Sequence, residues 1–274
     1  MSVVRRYELH GEIIEVESAS VSWANAVNEI LGAYRSQTTA NPTLRATLRD
    51  RGNDLHVPRN LEERGRFGGL VFHIHRPTGV IWVQVHERGW VKVDVPAGRL
   101  EAELTYDARE DEWFVAHHAF YPALLELLKD RGLFPSHAGL VAREGEGLLI
   151  SGASGSGKTT LCLVLASNGW DFLADDTCFL RHGASAIEGL AFWEDLHVTE
   201  ETLLQFESLD FLRAQTPRRE NWKRHFAVEQ LESLRTAERC RPRWLLFPRV
   251  RPGRPSQLEP LSGTEAIMPE PSRR

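Results

Sequence analysis

Leu148-Leu149-Ile150-Ser151-Gly152-Ala153-Ser154-Gly155-Ser156-Gly157-Lys158-Thr159-Thr160-Leu161 is an apolar run, a glycine-rich turn and a renewed apolar stretch. Residues 152–159 satisfy the phosphate-loop pattern G-x-x-x-x-G-K-[ST] at every required position. The context fits as well as the letters. Leu148 to Ile150 reads as a buried strand, and Leu161, Val164 and Leu165 recur as one side of a helix from about 157 to 167, closed by Asn168-Gly169. Glycines let the backbone curl so that successive N–H groups face a phosphate, and the helix start adds partial positive charge. Gly152, Ala153, Ser154, Gly155, Ser156, Gly157, Lys158, Thr159 and Thr160 are therefore the expected nucleotide contacts, with Lys158 reaching the β- and γ-phosphates and Thr159 holding Mg²⁺.

Upstream of the loop, His137 to Ala142 and Gly147 to Ser151 read as two strands joined by Arg143-Glu144-Gly145-Glu146. Downstream, Phe172 to Ala174 starts a strand that ends in Asp175-Asp176, 17 and 18 residues after Lys158. The order strand, turn, strand, helix, strand predicts an α/β core. A strand adjacent to the loop would bring these carboxylates to the γ-phosphate, where a metal is held and an attacking hydroxyl loses its proton. Neighbouring residues on a regular strand point to opposite faces, so both aspartates serve one site only if the strand ends or twists there. The chain has no Asn-Lys-x-Asp motif for reading guanine and no Leu-Ser-Gly-Gly-Gln signature, which argues against a GTPase and a transporter ATPase.

Ser136-His137-Ala138-Gly139-Leu140-Val141, a glycine hairpin, the loop from Leu148 to Thr160, and Phe172-Leu173-Ala174-Asp175-Asp176 together resemble the catalytic domain of bacterial HPr kinase/phosphorylase, a relative of phosphoenolpyruvate carboxykinase. A histidine, a phosphate loop and an Ala-Asp-Asp strand end occur in that family in this order, and the resemblance covers roughly residues 134–182. It implies an ATP- and Mg²⁺-dependent kinase acting on a serine hydroxyl of a peptide or protein. Asp175 would be the base, His137 its electrostatic partner, and Lys158, Thr159 and Asp176 the phosphate and metal contacts. The fold it implies is an α/β phosphate-loop kinase domain of the HPr kinase and carboxykinase type over residues 131–274, behind an N-terminal α+β domain over residues 1–130. The family's N-terminal domain has no counterpart in residues 1–130, so HPr is not carried over as acceptor. The family's glycine-rich acidic signature is reduced to a faint echo at Ile187-Glu188-Gly189-Leu190, so phosphorolysis is not carried over either. The pattern is closer to the HPr-kinase-related proteins that accompany peptide-modification genes.

Further out, residues 1 to about 116 read as strand-rich. Ser22 is the expected cap of a helix carrying Trp23, Val27, Ile30, Leu31 and Tyr34, and alternation at 70–75, 81–86 and 90–95 predicts a β-meander. A second helix is expected from about His118 to Arg131, ended by Gly132, a third over 200–213, and a last strand over 244–247. Seven of the 14 prolines lie in 242–274, which predicts an extended tail. The resemblance implies a further helix after Leu261 to Ile267, which is either missing here or supplied by another subunit of a homo-oligomer.

Composition bounds the rest. The chain has 274 residues, 42% hydrophobic and 26% charged, a formal net charge of −5 and a pI near 6.1, so no overall basic surface invites nucleic acid. No run of about 18 apolar residues suggests a membrane span, and no secretory leader opens the chain, so the cytoplasm is the expected compartment. Cys162, Cys178 and Cys240 are few and widely spaced, as reduced thiols are. His73, His75, His117 and His118 have no cysteine or glutamate partners at metal-ligand spacing. The one basic cluster is 217–225, with Arg218, Arg219, Lys223 and Arg224, a solvated loop or a grip on phosphates. Two other readings share the motif: a non-catalytic ATP sensor, and a kinase of a small serine-like molecule.

Overall fold

The structure, a computed structural model, describes residues 2–50, 55–105, 112–194, 196–213, 224–226, 228–230, 234–251, 253 and 255–267. Alternating apolar residues in the first hundred positions build one large sheet. β1 (Val3–Leu9) and β2 (Glu12–Ser18) form a hairpin whose turn residues, His10 and Gly11, both have positive φ, as a two-residue primed turn requires. β3 (Arg35–Ser36), β4 (Leu44–Asp50), β5 (Glu62–Phe67), β6 (Leu70–His75), β7 (Val80–Val85), β8 (Gly89–Asp94) and β9 (Arg99–Leu104) complete nine strands in the order β3-β1-β2-β4-β9-β8-β7-β6-β5. β6 to β8 are the meander that the alternation predicts.

Two helical stretches cover one face of this sheet. α1 (Val21–Leu31) is capped by Ser20, not Ser22: Ser20 has the extended backbone of a cap and its Oγ accepts from the Trp23 amide at 3.2 Å. Ser22 is the second residue of the helix and donates to Glu112. The second helix starts earlier than expected. α2 (Glu112–Phe114), a π-helical segment (Val115–Phe120) and α3 (Tyr121–Asp130) follow without a break. Gly132, at positive φ, ends it in a Schellman arrangement, with Gly132 N–H donating to Lys129 O and Leu133 N–H to Leu128 O. Trp23, Val27 and Ile30 of α1 and Phe120, Leu124 and Leu128 of the second helix share one buried cluster with the sheet. Phe179, Leu190 and Phe192, from the second half of the chain, belong to the same cluster.

The second half contributes β10 (Phe134–Ser136), β11 (Ala138–Arg143), β12 (Glu146–Ser151), α4 (Lys158–Ser167), β13 (Asp171–Ala174), β14 (Cys178–His182), β15 (Ile187–Leu190), β16 (Leu196–Val198), α5 (Glu200–Leu203), β17 (Arg224–Phe226), β18 (Arg239–Leu246) and α6 (Gly263–Ile267). Seven of these strands form a second sheet in the order β10-β14-β15-β18-β12-β11-β13, and β16 pairs with β17 apart from it. The chain is thus a mixed α/β protein with two large sheets. Glu144 and Gly145, both at positive φ, make the tight turn between β11 and β12.

The strand that leads into the aspartate pair, β13, does not pair with the loop strand β12. β13 borders β11, and β11 separates it from β12. β11 is antiparallel to both, so β12 and β13 run in the same direction with a reversed strand between them. The hairpin turn is too short for β11 to go anywhere but beside β12, which leaves β13 the next position out. β18 occupies the other side of β12, parallel to it, and begins five residues before the strand that the sequence predicts. Its Pro242 sits at an irregularity of register, where a missing N–H is tolerated.

Only Asp175, Asp176 and Thr177 separate β13, at one end of the strand order, from β14, near the other. Such a link reaches about 14 Å, whereas five spacings across a flat sheet are about 24 Å. The sheet therefore curls, and the aspartate pair spans the opening. The helix expected over 200–213 is broken: α5 is followed by a turn and a 3₁₀ segment (Glu207–Leu212). Between β18 and α6 the described residues form no helix or strand and are largely exposed. Among the described residues no helix is long and apolar enough to cross a membrane.

Candidate functional site

Strand direction dictates what meets at one edge of the curled sheet. β12, β13 and β18 end there and β11 begins there. The edge therefore collects the loop after Ser151, the bend after Ala174, the segment after Leu246 and His137 just before Ala138. Open α/β sheets bind ligands outside the carboxyl ends of their strands.

Gly155 and Gly157 have φ of 80° and 93°, and Gly157 is the N-cap of α4. A Cβ on Gly157 would also lie 3.3 Å from Val250 Cγ2, so the loop and the post-β18 segment pack at that point. The amide of Ser156 donates to Ala153 O at 3.1 Å, which closes the curl. Ser156 Oγ is buried without a hydrogen-bond partner. An orphaned hydroxyl inside a curl of amides is the kind of group that an anion satisfies.

Lys158 is only 7% exposed, and its Nζ donates to Gly152 O at 2.8 Å and lies 3.5 Å from His137 Nε2. His137 Nδ1 in turn lies 3.5 Å from Asp176 Oδ2. The tautomer with its hydrogen on Nδ1 serves both contacts, accepting from the lysine and donating to the aspartate. Thr159 Oγ1 donates to Asp175 Oδ2 at 3.1 Å. Asp175 is 6% exposed, whereas the Asp176 side chain is 52% exposed. Both aspartates face the site because β13 ends at Ala174 and they occupy a bend.

The resemblance pairs His137 with Asp175; the structure pairs it with Asp176 and gives Asp175 to Thr159. Thr160 lines the same cleft, with its hydroxyl 3.1 Å from that of Thr202 in α5. Glu188 is ion-paired with Arg181 at 2.8 Å on the β14–β15 surface, which holds its carboxyl below the usual range. Of the basic cluster, 217–223 lie outside the described residues, and Arg224 is paired with Glu200.

The donors fit the groups that the loop implies. Thr159 and Asp175 offer two hard oxygens side by side, and magnesium is held by one or two carboxylates plus phosphate oxygens and water, not by a full protein cage. Among the described residues no group of three metal-ligating side chains exists, which that mode does not need. The surrounding cleft measures about 2120 Å³, above the usual 300–1,000 Å³ range for one small ligand.

Sequence reading missed the far wall of this cleft. Trp113, His117 and Tyr121, from the helix of the first half, and Glu194, after β15, line it. Helical periodicity reports that such residues share a side, not that a site lies opposite. Burial pushes the Tyr121 phenol well above its ordinary value, with Glu194 and Asp176 adding to the effect. The three thiols are free and buried: burial lifts Cys178 and Cys240 to about 12, and Cys162, within α4, well above its ordinary value, with Asp175 adding to the effect.

No model of a known family matches this chain, and no curated protein does. Among solved structures, the HPr(Ser) kinase/phosphatase of Coxiella burnetii matches 46% of this chain and 65% of its own length, at 18% identity and a TM-score of 0.32. The match thus spans less than two thirds of that protein.

Proposed function

We propose that the chain is an ATP- and magnesium-dependent kinase that transfers the γ-phosphoryl group to a serine hydroxyl on a peptide or protein. The observation that carries this reading is the pair of contacts Thr159–Asp175 and His137–Asp176 on either side of Lys158, all at one sheet edge. Bound ATP and Mg²⁺ supply the transferable group and neutralise its charge. The loop amides and Lys158 hold the phosphates, and Thr159 with Asp175 offers the metal its protein oxygens. The more exposed Asp176, oriented by His137, takes the proton of the attacking hydroxyl. The acceptor oxygen forms the new bond to phosphorus, its proton passes to Asp176, and the bond to the β-phosphate oxygen breaks to release ADP. This exchanges the two aspartate roles that the resemblance implies, because a buried carboxylate already bonded to Thr159 is poorly placed to meet an incoming hydroxyl.

The test is transfer of label from [γ-³²P]ATP to serine-bearing acceptors by the full chain, with Lys158→Ala abolishing it. ATP binding without transfer to any hydroxyl would leave the second reading, a nucleotide sensor. The observation that favours a sensor is the continuous packing of Tyr34 and Tyr121 from the first half against Phe192 and Trp193 from the second.

A further inference from the structure

The cations that line the cleft are gathered on one side of it, a side that also carries Glu259 and Glu265. Loop and post-β18 segment carry the only lysine and arginines that line it among the described residues, Lys158, Arg249 and Arg251. They flank the loop from the β18 side, where Pro248 approaches Gly152 and Val250 approaches Gly157. The other side begins with His137 and the aspartate bend, beyond β11, and continues into the helix of the first half. Its lining is aromatic and acidic: Trp113, Tyr121, Asp176 and Glu194, with His117 held toward Glu29 at 3.7 Å.

Tyr121 stands where the two halves of the chain meet, at the end of the π-helical segment, whose wide i→i+5 turn is closed by the Tyr121 amide on Ala116 O. Its ring stacks on Phe192 with centroids 5.9 Å apart, which fixes its direction. Its Oη is buried, beside Thr177, and makes no hydrogen bond of ordinary length and angle. A buried phenol left unpaired at the edge of an open cleft marks a place that a ligand completes. π-helical turns recur at functional sites.

We propose that this wall receives the phosphoryl acceptor, and that the acceptor carries a positive charge close to its hydroxyl, held by Glu194, the Tyr121 phenol and the Trp113 ring. This rests on the kinase reading above and adds the acceptor's chemical class. In-line transfer requires the hydroxyl to approach from the side opposite the nucleotide's leaving oxygen, and Asp176 is the proton acceptor on that side. Carboxylates and aromatic faces together select ammonium or guanidinium groups and disfavour acidic neighbours. The covalent balance is as above: one oxygen–phosphorus bond made, one broken, and the hydroxyl proton taken by Asp176.

The experiment measures transfer from labelled ATP to peptides with one serine flanked by arginine, by alanine or by glutamate, and to free serine and ethanolamine. The arginine-flanked serine is expected to exceed the alanine-flanked one by about tenfold in kcat/KM, with the glutamate-flanked one lowest. Ethanolamine or serine outperforming every peptide would support the cation and assign it to a small amino alcohol. Glu194→Arg is expected to invert the order of the peptides, and Tyr121→Phe to raise KM for the arginine peptide more than it lowers kcat. ATP affinity of the same variants reports that the fold is kept. Equal or better transfer to the glutamate-flanked serine overturns the proposal and leaves the kinase reading standing; ATP binding with no transfer to any acceptor overturns both.

Discussion

Asp175 and Asp176 are neighbours in the chain with opposite surroundings, one buried against a loop threonine and the other half-exposed against a histidine. Their substitutions should therefore fail differently. Asp176→Asn is expected to keep ATP affinity and lose at least about 10²-fold in kcat, the lower range for a general base. Asp175→Asn is expected to raise the magnesium concentration needed for half-maximal rate, and a magnesium titration of both variants separates the two roles. The sequence carried the site to this point and no further. Spacing alone singled out the loop, Lys158, Thr159 and the aspartate pair, and the structure gathers them at one sheet edge. Which aspartate meets His137 depends on how the chain bends after Ala174, and alternation stops being a guide where a strand stops. The thiols are a separate residue-level case. Burial lifts Cys178 and Cys240 to about 12 and holds Cys162 well above its ordinary value, so all three remain protonated at neutral pH. The folded protein is expected to take up no iodoacetamide at pH 8, whereas urea-unfolded protein takes up three equivalents.

At the scale of elements, β11 is the strand that locates the site, and Gly139 is what lets it sit where it does. A Cβ there would stand 2.4 Å from Cys162 Sγ of α4 and 3.2 Å from Asp175 O. Gly139→Ala is expected to cost about 1–3 kcal/mol through overpacking and to lower transfer as well, because the strain is relieved at the aspartate bend. Cys162→Ala made in the same chain should recover part of the stability, a coupling that thermal melts of the four-protein cycle measure directly. The position of β11 was not legible beforehand: periodicity identifies strands, not their neighbours. β18 was half-read for a related reason. Arg239, Arg241, Arg243 and Pro242 hide its first half from a hydrophobic pattern, and pairing with β15 and β12 keeps it extended. The helix expected over 200–213 failed because apolar residues at helical spacing fit a short helix followed by a 3₁₀ turn equally well.

Across the whole molecule, the two halves meet on a seam that is polar at its rim. His10, at the tip of the first hairpin, donates from Nε2 to Ala191 O at 2.6 Å, and Tyr34 accepts from the Trp193 amide at 2.9 Å. Burial holds His10 below its ordinary value of 6.5, with Arg181 adding to the effect against the opposing Ala191 bond. The unfolded chain thus binds a proton at a pH where the folded one does not. This contribution to stability is complete above about 6.5 and is lost as pH falls through the folded value. Melting temperatures at pH 8 and pH 5.5 are expected to differ more in the wild type than in His10→Gln; equal differences would count against the seam. Behind that rim, Trp193, Tyr34, Phe192 and Tyr121 form one column of rings with interplanar angles of 6°, 13° and 8°. Its layers alternate between the two halves of the chain like the leaves of two shuffled card decks. Neither half can be slid or tilted away without parting a ring from its neighbour on both faces, so the phenol at the end of the column takes its position from the entire assembly and not from its own helix.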